Sequence, residues 1–220
     1  MNKAIVSFAQ GNLFVNMLSI ALPRFYKYAY KYQYDLIIPT YSQVKQWCCD
    51  YSWNYNRPTS WLKVPIIKHL LENGYDLVQW IDCDVIINRF DKDINEEFIT
   101  STYSQSLVHH YDLYEGVVAN CGIWSLKKEA IHLLDNIWNQ TDFINHKWWE
   151  QGANIYLMET CKDVHDSCNP LSYEFNVHKN DVRFSEKDWE SCGIMLHATT
   201  WENRLEKMIE WDRRSPHGLD

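Results

Sequence analysis

Glycine and proline are scarce, seven and six in 220 residues, and no repeat or low-complexity tract interrupts the chain. Set against 11 Trp, 14 Tyr and 8 Phe, this excludes a disordered, collagen-like or linker-rich polypeptide, which lacks the apolar surface needed to offset the entropy of folding. Long apolar runs are missing. The best, residues 13–22, is broken by Asn16 and ended by Pro23, short of the roughly 18 residues a membrane span needs. A cationic surplus is missing as well: 21 Lys and Arg face 29 Asp and Glu, a formal net charge of −8, so a broad nucleic-acid footprint is excluded. Met1-Asn2-Lys3 leads directly into a brief apolar run over 4–9, too short for a secretory signal and suited to a first strand. The seven cysteines are odd in number and include no Cys-x-x-Cys pair, which favours free thiols over a disulfide framework. The expected protein is soluble, cytoplasmic and built on one core, since single cores usually occupy about 100–200 residues.

What the chain does contain is an alternation of strand and helix. The run 4–9, the turn Gln10-Gly11-Asn12 and helically spaced apolar residues over 13–31 give strand, turn and helix, with Pro23 expected to kink or divide the helix. Residues 34–38 give a second strand, and strand–helix–strand implies a right-handed crossover. Residues 41–58, with Tyr41, Trp47, Tyr51, Trp53 and Tyr55, are expected to form one loop of a length usually kept for binding surfaces. Thr59-Ser60 are expected to cap a helix over 61–72, stopped by Asn73-Gly74. Leu77-Val78-Gln79-Trp80-Ile81 suits a central parallel strand buried on both faces, running into Asp82-Cys83-Asp84 and Val85-Ile86-Ile87. Strands over 106–108, 116–126, 173–177 and 194–197, with helices over 127–138, 148–158 and 201–211, complete an α/β class. Ligands of such sheets bind at the carboxyl ends of the strands.

Asp82 and Asp84 are the candidates for chemistry. An Asp-x-Asp triplet arises about once by chance at this aspartate content, and Asp91-Lys92-Asp93, in a polar segment, serves as an internal control expected to be solvated and inert. Asp82 and Asp84 differ because apolar runs flank them. Burial and mutual repulsion would raise their pKa values unless a cation or hydrogen-bond donors stabilise the ionised pair. Oxygen ligands on a strand end suit Mg2+ or Mn2+, which keep water and phosphate oxygens in their remaining positions; the alternatives are a turn cap or a pairing with Arg89. Cys161, His165 and Cys168 have helical spacing that offers three zinc-type ligands without a fourth, and Cys48-Cys49 do not readily bridge.

With these residues the chain resembles the metal-dependent GT-A glycosyltransferases, whose Asp-x-Asp motif ends a central strand. Ser60-Trp61-Leu62-Lys63-Val64-Pro65, followed by Trp80-Ile81-Asp82-Cys83-Asp84-Val85-Ile86-Ile87, is similar to the branch containing plant xyloglucan xylosyltransferases and yeast galactosyl- and mannosyltransferases. Asn120-Cys121-Gly122-Ile123-Trp124, Trp149-Glu150-Gln151-Gly152-Ala153, Glu174-Phe175-Asn176 and Leu196-His197-Ala198 follow in the family's order, so the resemblance spans about residues 3–205. Two departures stand out. The Golgi members' membrane anchor has no counterpart here, which brings the chain closer to the small glycosyltransferases of large algal viruses. Ala198-Thr199-Thr200 stands where a Gly-containing loop usually follows the histidine.

The resemblance implies one GT-A domain over 1–220, Rossmann-like, with a central mostly parallel sheet flanked by helices. Its nucleotide-binding half would cover about 1–90 and its donor-sugar and acceptor half about 91–220. It implies Mn2+ or Mg2+ held by Asp82, Asp84 and His197, and nucleotide contacts from Ala9, Gln10, Asn12, Lys63, Asp82, Cys83 and a base-stacking Tyr41, with Arg204 or Lys207 as further phosphate candidates. Asn120, Cys121, Gly122, His110 and Asp112 would meet the donor sugar or acceptor. Gln151 is expected beneath the sugar ring, oriented by Glu150, with Asp84 completing the catalytic set; Glu150 as a base is the inverting alternative. The implied reaction moves a hexose or deoxyhexose from a nucleoside diphosphate, UDP foremost, to a carbohydrate acceptor, free or on a glycoprotein, with retention favoured. No nucleic acid or integral membrane segment is involved.

Other functions remain open at this level. A sugar nucleotidyltransferase also uses metal and an α/β sheet, although the first turn lacks a Gly-rich phosphate loop; a non-catalytic carbohydrate-binding protein would use the tryptophans. Single residues keep plain alternatives too: an exposed Lys63, a tight turn at 9–12, a surface loop at 109–112, and first-turn helix positions for Glu150 and Gln151.

Overall fold

The computed structural model describes residues 1–48, 57–185 and 193–214; Cys49, Tyr51, Trp53 and Tyr55 lie outside them. Strand β1 (Lys3–Val6) leads through Gly11, whose φ of 89° suits a residue without a side chain, into helix α1 (Asn12–Tyr32). Helix α1 runs unbroken through Pro23, contrary to the expected division. Its inner face, Met17, Ala21, Phe25 and Tyr28, is fully buried, and that packing outweighs the roughly 3 kcal/mol an internal proline costs. Strand β2 (Asp35–Ile37) pairs parallel to β1 and completes the crossover.

The expected loop over 41–58 begins instead as helix α2 (Tyr41–Trp47), because Thr40 and Gln43 form a reciprocal capping box. Thr59 and Ser60 do not cap the next helix. They lie inside a 3-10 turn, Thr59–Leu62, where the Thr59 hydroxyl donates to Gln10 Oε1 at 3.1 Å. Helix α3 (Lys63–Glu72) follows, ending at Asn73-Gly74. All five residues of β3 (Leu77–Ile81) are buried. Asp82–Asp84 then form a turn, the Val85 amide donating to the Asp82 carbonyl at 3.2 Å. It diverts β4 (Val85–Ile87) away from β3 and into a separate two-stranded sheet.

The remaining elements are α4 (Glu96–Thr100), β5 (Gln105–Asp112), β6 (Gly116–Lys127), α5 (Ile131–Trp138), α6 (Trp149–Thr160), α7 (Lys162–Asp166), β7 (Cys168–Leu171), β8 (Met195–His197) and α8 (Arg204–Arg214). The main sheet has the order β2-β1-β3-β6-β5-β7, and β6 alone runs against the others. It is therefore mostly parallel. Residues 109–112 belong to β5 and are not a surface loop. The strand expected over 173–177 is a 3-10 turn, Tyr173–Phe175, with one bridge from Val177 to Leu196; Asn176 turns its side chain inward and breaks the ladder. Strand periodicity divides the core. Leu77 and Ile81 pack with α1 and α8, whereas Val78 and Trp80 pack with α3, α5 and α6. Among the described residues no helix is long and apolar enough to cross a membrane.

Candidate active site

The crossovers from β1 and β2 leave toward opposite sides of the sheet, so a crevice opens at the carboxyl ends of β1 and β3, the switch point of such folds. There lies a cavity of about 680 Å3, entered by Ala9 and Gln10 after β1, Asp82, Cys83 and Asp84 after β3, and Asn120 and Gly122 of β6. His197 reaches it because β4 and β8 pair antiparallel with Val85 opposite His197. The Ala198 amide, which donates to the Asp84 carbonyl at 2.9 Å, locks that register at the site.

One carboxylate oxygen each from Asp82 and Asp84 and a ring nitrogen of His197 lie within 4.8 Å of one another. His197 Nε2 is 3.2 Å from Asp84 Oδ1 and 3.9 Å from Asp82 Oδ2, yet it is buried without a hydrogen-bond partner. Its orientation follows from the backbone outward. Asn120 Oδ1 accepts from the Gly122 amide (2.8 Å) and from Asn176 Nδ2 (3.0 Å), so Asn176 presents its oxygen to His197 Nδ1 at 3.0 Å. Nδ1 therefore donates to Asn176, and Nε2 faces the two carboxylates. Two oxygens and an imidazole nitrogen fit a hard divalent cation such as Mn2+ or Mg2+. Asn176 has no role in the sequence expectations, although its motif was matched; only the fold brings it to His197.

Charge around the pair is balanced by two cations. Burial alone would raise the Asp84 carboxyl, but His197 and the Arg204 guanidinium, 3.2 Å from Oδ2, outweigh it and hold the carboxyl below its usual range. Arg89 instead pairs with Asp91. Lys63 is buried rather than exposed: its ammonium meets Asp82 (3.2 Å), Glu150 (3.0 Å) and the Cys121 carbonyl (3.1 Å). Desolvation works against that charge, yet the two carboxylates prevail and its pKa is raised. The control triplet is only partly solvated, since Asp93 accepts from the Tyr34 hydroxyl and the Asn95 amide.

Other expected residues are placed variously. Ala9, Gln10, Cys83, His110, Asp112, Glu150 and Gln151 line the cavity. Asn12 and Tyr41 do not; Tyr41 lies on α2 beneath the Lys45 ammonium. The Cys121 side chain is buried outside the lining, and its amide donates to Gln151 Oε1 at 3.0 Å. That amide orients Gln151, a task expected of Glu150, whose own carboxylate is taken by Lys63. Cys168 belongs to β7 and Cys161 is exposed, so the zinc-type spacing is not helical; among the described residues only Asp82, Asp84 and His197 could hold a metal.

Behind the triad, the His110 and His178 rings lie with centroids 3.8 Å apart at an interplanar angle of 43°, and His110 Nδ1 lies 2.9 Å from Asp181 Oδ2. Burial lowers both imidazole pKa values, and Asp181 offsets this only in part at His110. The folded pKa values thus lie below the unfolded ones, so the unfolded chain binds protons that the folded chain does not. Stability is complete above the ordinary histidine value of 6.5 and falls as pH drops through it, by about 1.4 kcal/mol per pH unit for each such ring. Melting temperatures between pH 7 and 5 are expected to fall, with a shallower slope in His178→Phe; an unchanged slope would contradict a neutral buried His178.

Fold and site together describe an α/β domain of GT-A-like fold with an Asp-x-Asp turn closing its central strand. Comparison with known proteins agrees with the fold. A glycosyltransferase involved in the glycosylation of the major capsid of PBCV-1 superposes with a TM-score of 0.68 at 13% identity, covering 97% of this chain and 100% of that one. Mouse xyloside xylosyltransferase 1 gives 0.52 at 9% identity over 90% and 97%, and glycosyltransferase GlyE of Streptococcus pneumoniae gives 0.56 at 11% identity over 96% and 61%. No protein-family model and no curated protein matches the sequence.

Proposed function

We propose that this chain is a metal-dependent glycosyltransferase that moves a hexose or deoxyhexose from a nucleoside diphosphate sugar, UDP foremost, to a carbohydrate acceptor. The observation that carries it is the convergence of Asp82, Asp84 and a partnerless His197 nitrogen within 4.8 Å, at the ligand-binding end of a fold shared with glycosyltransferases. On this reading residues 1–90 form the nucleotide half and 91–220 the sugar half. The free thiols of Cys48, Cys83, Cys121, Cys161 and Cys168 favour a cytoplasmic setting.

Asp82, Asp84 and His197 would hold Mn2+ or Mg2+, whose Lewis acidity stabilises the departing diphosphate. The chain's own groups do the rest. Arg204 sets a guanidinium beside Asp84, where phosphate charge grows. Lys63 pairs with Asp82 and Glu150, and Asn176 fixes the His197 ring. Gln151, anchored by the Cys121 amide, offers the rest of its side-chain amide to the sugar. Glu150 is 3% exposed and bound to Lys63, which disfavours it as a base and favours retention, with the leaving phosphate taking the acceptor proton.

Calorimetry with UDP tests this directly. Binding should require Mn2+, weaken in His197→Ala, and fall by more than about 100-fold in Asp84→Ala. UDP affinity that survives chelation would count against the metal-dependent mechanism, and a glycan that binds Asp84→Ala without metal would instead indicate a carbohydrate-binding protein.

A further inference from the structure

We propose that Tyr114 and Trp149 form a stacking subsite for an uncharged pyranose of the acceptor, at the mouth of the cleft between the β5–β6 turn and the start of α6. This rests on the transferase reading and adds where the acceptor lies. Both residues line the cavity, yet Tyr114 is 80% and Trp149 42% exposed. Trp61, Trp124, Phe25 and Tyr28 are fully buried core residues, and of the exposed aromatics among the described residues only Phe14, Tyr114 and Trp149 line the cavity. Tyr114 and Trp149, left in water on the wall of the cavity, offer flat apolar faces of the kind that cover the C–H face of a sugar.

The backbone beneath both rings is fixed. Asp112 Oδ1 accepts from the amides of Tyr114 (2.8 Å) and Glu115 (3.2 Å), Gly116 closes the turn at φ 79°, and the Leu113 amide donates to the Asn180 carbonyl at 2.9 Å. On the other side, Trp149 has φ 46°, a conformation costly for a bulky residue and held only where its surroundings enforce it. Those surroundings are the hydrogen bonds from the Trp149 amide to the His146 carbonyl (3.0 Å) and from the Gly152 amide to the Trp148 carbonyl (3.1 Å). Strain at an exposed indole on a cavity wall marks a ligand clamp. A Lys147–Glu115 ion pair at 2.7 Å ties the two segments together. The pair also cancels charge at the rim, so the subsite favours a neutral polyol over an anionic group. A preorganised backbone loses little freedom on binding, which favours affinity for a weakly held sugar.

The test is saturation-transfer NMR on the full chain with the methyl glycosides of xylose, glucose, galactose and mannose, in EDTA so that neither metal nor donor contributes. At least one glycoside should bind, with the strongest transfer and an upfield shift confined to the C–H protons of one ring face. Tyr114→Ala and Trp149→Ala should each weaken it on the order of tenfold, Trp149→Phe should restore it, and Mn2+-dependent UDP affinity should stay unchanged in all three. At 80% exposure Tyr114 is removable without unfolding the protein. The subsite is overturned if no glycoside binds the wild type, if both alanine variants bind as the wild type does, or if UDP affinity falls in step with glycoside affinity. Ring-face stacking that persists while wild-type UDP binding fails would uphold the subsite and sink the transferase reading.

Discussion

Gly122→Ala is expected to abolish Mn2+-dependent UDP binding while the chain still folds. A methyl group there would sit 2.2 Å from His197 Cε1, 2.9 Å from Asn120 Oδ1 and 3.0 Å from Asp82 Oδ2. None of the three can retreat cheaply: Asn176 pins His197, Asn120 is fixed by a backbone amide, and Lys63 with Trp80 Nε1 holds Asp82. Displacing the ring carries Nε2 away from both carboxylates. Overpacking of this kind costs roughly 1–3 kcal/mol, a fall of several degrees in Tm for a chain of this size and not a loss of fold. Circular dichroism and UDP calorimetry on one sample separate the two effects. Wild-type affinity in the alanine variant would mean that His197 takes no part in holding the nucleotide.

Lys63→Met is expected to be among the most destabilising substitutions in the chain. It would leave the Glu150 carboxyl, 3% exposed and already carrying an Oε2 atom without a partner, buried with no cation beside it. Removing one member of a buried ion pair typically costs about 3–5 kcal/mol, and urea unfolding should show a loss of that size. A second change distinguishes charge from shape: Glu150→Gln in the same background should recover most of the stability, because Asp82 is 29% exposed on its side chain and keeps its Trp80 bond. A double variant no more stable than Lys63→Met would assign the cost to the lysine's packing instead.

Much of the frame was legible in the residues. The five-residue run before Asp82 could be nothing but an interior strand, because no other element buries both of its faces. The α1 amphipathic pattern and the Asn73-Gly74 stop were equally plain. Errors arose where a side chain had two possible partners. The stretch after Thr40 has the composition of a loop, yet the spacing of Thr40 to Gln43 satisfies a capping box; Thr59 has the composition of a cap, yet it bonds across the cleft to Gln10. Pro23 obeyed its local rule less than the packing of the face around it.

For the site, sequence order nominated Asp82, Asp84 and His197, because apolar flanks around two acids demand a compensating cation and a motif order narrows the choice of third ligand. It could not assign Asn176 to the His197 ring, reveal that Lys63 is spoken for by two carboxylates, or tell an exposed Trp149 from ten other tryptophans. Those facts depend on which residues meet across 19 to 120 positions of chain. By itself, then, the sequence determined the alternating elements, the buried central strand and the acids at its end, since these follow from local periodicity and the cost of burying charge. Only the tertiary structure decided who neutralises whom, because hydrogen-bond geometry and desolvation act on distance in space and leave no period along the chain.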